Sequence, residues 1–116
     1  VCQHDGLSVV ARVPLAQGML AGNIGADTRF APSDLRCGWT REHLLGLREQ
    51  VDCIWRDELE PGADPAQWAI AWCLRHDCVA TAIVGCKSVA QVESNAATAW
   101  SGMVSDAHPL RVGSDR

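Results

Sequence analysis

Gly85, Lys87, Ser88 and Gln91 lie close together and combine a position without a Cβ, a full positive charge and a helix start. Ser88 and Gln91 stand three apart, the spacing of a capping box. In that motif the serine oxygen accepts from the Gln91 amide, and the glutamine side chain reaches back to the cap. A helix beginning there gathers free amides and the positive end of its dipole around Lys87. Phosphate or carboxylate would then be held by charge, dipole and backbone donors together. The same string also fits an ordinary strand-to-helix turn with a solvated lysine, and glycine-turn-helix alone does not choose between the two.

Other reactive side chains give weaker patterns. The six cysteines, at 2, 37, 53, 73, 78 and 86, show neither CxxC nor paired Cys/His spacing, so no metal site is expected. Cys53 and Cys73 fall within apolar helical patterns and read as small core residues rather than parts of a disulfide framework. Cys86 reads as a buried thiol, with a reactive thiolate at the helix start as the alternative. His4, His43, His76 and His108 are scattered and read as surface or helix-end residues, and Asp57, Glu58 and Glu60 as a solvated acidic face.

The anion site needs a strand before it and a helix after it. Residues 79–84 are short, apolar and partly β-branched, and they stop at Gly85, where a tight turn or close approach of a ligand is permitted. A second strand is expected over residues 7–13, ended by Pro14; its nearly continuous hydrophobicity suits burial on both faces of a parallel sheet. Residues 18–33 carry Gly18, Gly22, Gly25 and Pro32 and read as a long loop with at most one helical turn, the kind of loop that often binds ligands.

Apolar residues at 44, 47, 51, 54, 55 and 59, with Thr40 as cap, predict an amphipathic helix over residues 41–59. Asp64, Pro65 and Gln67 then supply a cap, a proline at the first helical position and a glutamine three residues after the cap, for a helix running to about His76. Trp68 and Trp72, four apart on that helix, read as core. The last helix ends near Ala99 or Trp100, and residues 101–116 read as a loose tail. Strand, loop, two helices, strand, turn and helix give the βα alternation of a parallel α/β fold. Two parallel strands leave two open edges and an apolar face, so further strands or other copies of the chain are expected to complete the sheet.

A chain of 116 residues fits one small domain or a piece of a larger one, and 47% apolar residues suit a globular protein. The net charge of −4, with no basic stripe, argues against nucleic-acid binding. No apolar run reaches about 18 residues, so no transmembrane helix is expected. No signal peptide pattern is present either. Cysteines read as unpaired favour a reducing, cytoplasmic setting. The first residue is valine rather than methionine, which processing, a cloning boundary or excision from a longer chain would each explain.

Four segments together resemble a known family: Val9-Val10-Ala11-Arg12-Val13-Pro14-Leu15-Ala16-Gln17-Gly18-Met19-Leu20-Ala21-Gly22, then Asp27-Thr28-Arg29-Phe30, then Ala69-x-x-Trp72-x-Leu74, then Ile83-Val84-Gly85 through Asn95. In this order and spacing they are similar to the carboxy-terminal part of the aldo/keto reductases, over roughly residues 6–100. The resemblance implies a partial (β/α)8 TIM barrel, with residues 8–13 and 79–84 as its seventh and eighth strands. NADP(H) would bind at the strands' carboxyl ends, where barrel enzymes keep their sites. It assigns Arg12, Val13, Pro14, Leu15, Ala16 and Gln17 to the nicotinamide ribose and pyrophosphate. Arg29 falls to the loop covering the dinucleotide, and Gly85, Lys87, Ser88, Gln91 and Asn95 to the adenosine and its 2′-phosphate.

Two positions depart from the family pattern: Asn23 stands where many relatives have lysine, and Ser94 where many have glutamate. The resemblance also implies a tyrosine acid supported by lysine, aspartate and often histidine from the amino-terminal half, yet this chain has no tyrosine, so no catalytic residue is assigned. Three functions follow as expectations. The chain is the cofactor-binding part of an NADP(H)-dependent reductase of small carbonyl substrates, completed by a missing barrel half. Alternatively it is a truncated binding or structural subunit that associates with itself or a partner, or a truncated enzyme with a different activity.

Overall fold

The computed structural model describes residues 1–100, so the expected tail at 101–116, with His108, lies outside the described residues. Along the chain come strand β1 (Val9–Arg12), a 3-10 segment (Ala16–Ala21) and helix α1 (Arg41–Glu58). Helix α2 (Pro65–Leu74), strand β2 (Val79–Ile83) and helix α3 (Val89–Ala97) follow, with a 3-10 turn at Thr98–Trp100. The strands pair in parallel, Val9 opposite Val79 and, after an irregularity beyond Val9, Arg12 opposite Ile83. Parallel pairing demands a long crossover, here supplied by the 3-10 segment, α1 and α2.

Each helix starts where its cap residue dictates. The Thr40 side chain accepts from the His43 amide at 3.2 Å, and Asp64 Oδ1 accepts from the amides of Ala66 and Gln67 at 2.8 and 3.0 Å. Pro65 then occupies the first turn of α2, where its missing N–H costs nothing.

On α1 the expected apolar stripe buries Leu44 and Val51, which meet Met19 and Ile24 of the strand-end segment beneath Leu20, Phe30, Trp39, Leu47 and Trp55. Burying each such aliphatic side chain contributes roughly 1.5–3 kcal/mol, so this cluster fixes the long loop against α1. A second buried group, Trp68, Ala69 and Ile70, lies on α2, which packs on β2, α3 and the 3-10 segment. Trp68 is core as expected, while Trp72 is half-buried with its ring edge-on to His76 at 5.0 Å.

Three expectations are corrected. The strands are not covered on both faces: Val10 and Ile83 are 53% and 59% exposed, because α2 shields only part of a two-stranded sheet. Cys53 is exposed rather than core, since it lies about 200° around the helix from buried Val51. Cys86 is exposed rather than buried; Cys73 is half-buried, and burial pushes its thiol pKa up.

Candidate functional site

The register Arg12 opposite Ile83 sets the carboxyl ends of both strands side by side. The chain leaving β1 and the turn leaving β2 therefore form two walls of one cleft, of about 570 Å³. The first wall brings Val13, Pro14, Leu15, Gln17 and Gly18; the second brings Val84, Gly85, Cys86, Lys87 and Gln91. A third comes from the long loop as Asn23, Ile24, Thr28, Phe30 and Arg36. A smaller adjoining cleft, about 260 Å³, is lined by Leu15, Asp64, Gly85, Gln91, Ser94 and Asn95, among others.

Of the residues singled out in the sequence, Val13, Pro14, Leu15, Gln17, Gly85, Lys87 and Gln91 converge on the larger cleft, and Asn95 lines the smaller one. Arg12, Ala16, Arg29 and Ser88 line neither. Arg12 and Arg29 are exposed, while Ser88 caps α3, its hydroxyl accepting from the Gln91 amide at 3.2 Å. The capping glutamine reaches one residue further back than expected: Gln91 Oε1 accepts from the Lys87 amide at 2.7 Å. This removes the Lys87 N–H from the supply of anion donors, as Ser88 removes that of Gln91, and leaves the amides of Val89 and Ala90 at the start of α3, which have no intrahelical partner.

Charge at the cleft is uneven. Lys87 is exposed, and its ammonium makes no ion pair among the described residues. Arg36 is paired through two nitrogens with Asp34, Nε to Oδ1 at 2.8 Å and Nη2 to Oδ2 at 2.7 Å. That side-chain pairing, then the Arg36 backbone N–H, hold the Asp34 carboxyl well below the usual carboxylate range; the Lys87 charge adds a smaller push in the same direction. Asp34 in turn raises the Arg36 pKa. Lys87 is thus the cleft's uncompensated cation.

The first wall is bent unusually. Val13, Ala16 and Gln17 have φ of +60°, +46° and +56°, a region that residues with a Cβ seldom adopt and β-branched ones least of all. Gly85 is the opposite case: a Cβ there would meet nothing within 4 Å, so its bareness keeps space open in the cleft. Cys86 Sγ accepts from Asn95 Nδ2 at 3.1 Å, which fixes the turn on α3.

Arg36 and Phe30 were not picked out as site residues from the sequence. The available signal was Asp34-Leu35-Arg36 within a polar loop, a spacing that permits a two-pronged local pair; nothing in it showed that the pair would face residues nineteen positions earlier. The histidines stand elsewhere: His43 against Trp39, His76 against Trp72, and His4 exposed beside Asp5. Among the described residues no group of three or more His, Cys, Asp or Glu could hold a metal ion, and no helix is long and apolar enough to cross a membrane.

Two parallel strands joined through helices, with a cleft where their carboxyl ends meet, define an α/β protein of the βα-repeat kind. The sequence profile of the aldo/keto reductase family matches residues 1–104, and the chain belongs to that family. Oxidoreductases described as uncharacterised, one from Mycobacterium bovis and others from two strains of Mycobacterium tuberculosis, are each 35% identical to it over 94 residues. The match takes in 78% of this chain but 28% of each relative, so the chain spans little more than a quarter of their length.

Proposed function

We propose that the chain is the carboxy-terminal, cofactor-binding part of a cytoplasmic NADP(H)-dependent oxidoreductase acting on small carbonyl or alcohol substrates, and that β1 and β2 are the last two strands of a (β/α)8 barrel. One observation carries this reading. The Arg12 to Ile83 register places the Val13–Gln17 wall and the Gly85–Gln91 turn across a single cleft, at the strand ends where such barrels hold ligands.

The residues present fit a dinucleotide phosphate. The volume of about 570 Å³ falls within the roughly 300–1,000 Å³ of small-molecule sites. Gly85 leaves room for close approach, and Lys87 with the first turn of α3 would hold the 2′-phosphate. Val13, Pro14, Leu15 and Gln17 would hold the nicotinamide-side ribose and pyrophosphate, and Asn95 in the smaller cleft would face the adenosine. NADP(H), when bound, exchanges a hydride with the substrate. The chain's own residues bind and orient it; the tyrosine acid that the family resemblance implies for the developing alkoxide would lie outside this chain, which has no tyrosine.

A second reading rests on a separate observation. The open sheet face at Val10 and Ile83 and the absent tyrosine suit a truncated subunit, without redox chemistry or repurposed for another reaction, that completes its fold by self-association.

Calorimetric titration of the purified chain with NADPH separates the two, with its mass in solution measured in parallel. Saturable micromolar binding supports the first reading. A folded oligomer that binds no NADPH contradicts it and favours the second.

A further inference from the structure

We propose that Arg36 is the positioning residue of this cleft: it holds the wall formed by residues 13–18 in the bent conformation that receives a dinucleotide, an inference that rests on the reading just given. Three residues of that wall, Val13, Ala16 and Gln17, occupy left-handed backbone positions, which persist only where the surroundings fix them. Bonds within the wall are short-range: Ala16 N–H to the Val13 carbonyl at 3.0 Å, Gly18 N–H to Leu15 at 2.9 Å and Leu20 N–H to Leu15 at 3.2 Å. They close turns but do not anchor the wall to anything else.

The next residues, Met19 and Leu20, are held by apolar packing against α1, and the polar anchor of the wall itself is Arg36. Its Nη1 donates to the Gln17 carbonyl at 2.7 Å, across 19 residues of sequence. The guanidinium that makes this bond is itself immobilised, by Asp34 on Nε and Nη2 and by the Phe30 ring, whose centroid lies 4.3 Å from its central carbon. Gly18 continues the wall at φ +96°, a conformation that residues with a Cβ rarely adopt, and a Cβ there would also crowd Ile24 Cδ1 at 3.2 Å. All three guanidinium nitrogens are used in fixed directions, a geometry that the single ammonium of lysine cannot reproduce. Arg29, by contrast, is exposed and lines neither cleft.

The test compares the full chain with Arg36→Met and Arg36→Lys by two readouts, amide hydrogen exchange without ligand and NADPH titration at several salt concentrations. Exchange at Gly18 and Leu20 should accelerate about tenfold or more in both variants while Leu44 in α1 keeps its protection. NADPH affinity should fall about tenfold, with the wild-type salt dependence and no rescue by lysine. Unchanged exchange at Gly18 and Leu20, rescue by lysine, or a reduced salt dependence marking direct phosphate contact would each overturn the positioning role while leaving the dinucleotide reading standing. A wild-type chain that binds no NADPH would overturn both.

Discussion

Gln67 Nε2 donates to the main-chain carbonyl of Ser94 at 2.9 Å and lies 3.0 Å from its hydroxyl oxygen, so the first turn of α2 is fastened directly to α3. The same Ser94 carbonyl also accepts from the buried Thr98 hydroxyl at 3.3 Å. Ser94 is therefore a junction between helices. A hydrogen bond of this kind contributes about 0.5–1.5 kcal/mol net. Gln67→Ala should therefore lower unfolding free energy by about 1–2 kcal/mol, read as a lower urea midpoint at unchanged slope.

Lys87 is the uncompensated cation beside the first turn of α3, so its removal should act on the 2′-phosphate and little else. Lys87→Ala should weaken NADPH binding by about tenfold or more, as expected for a charge-assisted bond worth about 1.5–3 kcal/mol, and leave NADH affinity nearly unchanged. Parallel titrations of both nucleotides check this, and an equal loss for both would place Lys87 outside the phosphate subsite.

Gly85 offers a substitution that separates cleft from fold. Its backbone needs no left-handed conformation, and an added Cβ meets open space. Gly85→Val should therefore keep the thermal midpoint within a few degrees while reducing NADPH affinity at least tenfold by filling the cleft.

The helices were legible because their signals are local. Thr40, Asp64-Pro65 and Ser88 each name a helix start, and each is found capping the amides expected of it. The order of elements and the turn from β2 into α3 followed from the same reasoning. Strand burial is not legible because Val9-Val10-Ala11 and Ala82-Ile83-Val84 have the composition of strands enclosed by a full sheet, while the described residues supply only two strands and one helix to cover them. Arg36 is not legible as a site residue because its contact with Gln17 is one that only the folded loop creates.

Acid should weaken the loop in a defined direction. Asp34 has an ordinary pKa of 3.8 and a much lower one in the fold, chiefly through its side-chain bonds to Arg36. A depressed carboxylate pKa gives stability that is full above the ordinary value and lost as pH falls through the folded one. Glu42, through its own backbone N–H and the Thr40 side chain, and Asp52, through Arg48, shift the same way. Stability should thus hold from neutral pH to about 5 and decline below 4, with a shallower decline in Asp34→Asn. Urea unfolding across this range measures it, and an unchanged acid slope in the variant would contradict the assignment.

The most direct measurement is an amide chemical-shift map of the isotopically labelled chain during NADPH titration. Saturable shifts are expected at Leu15, Gln17 and Gly18 on one wall and at Gly85, Lys87 and Gln91 on the other, with the exposed face around Glu49 and Gln50 of α1 unmoved. Shifts confined to one wall, spread over α1, or absent while the chain remains folded would contradict a dinucleotide cleft built by the paired ends of β1 and β2.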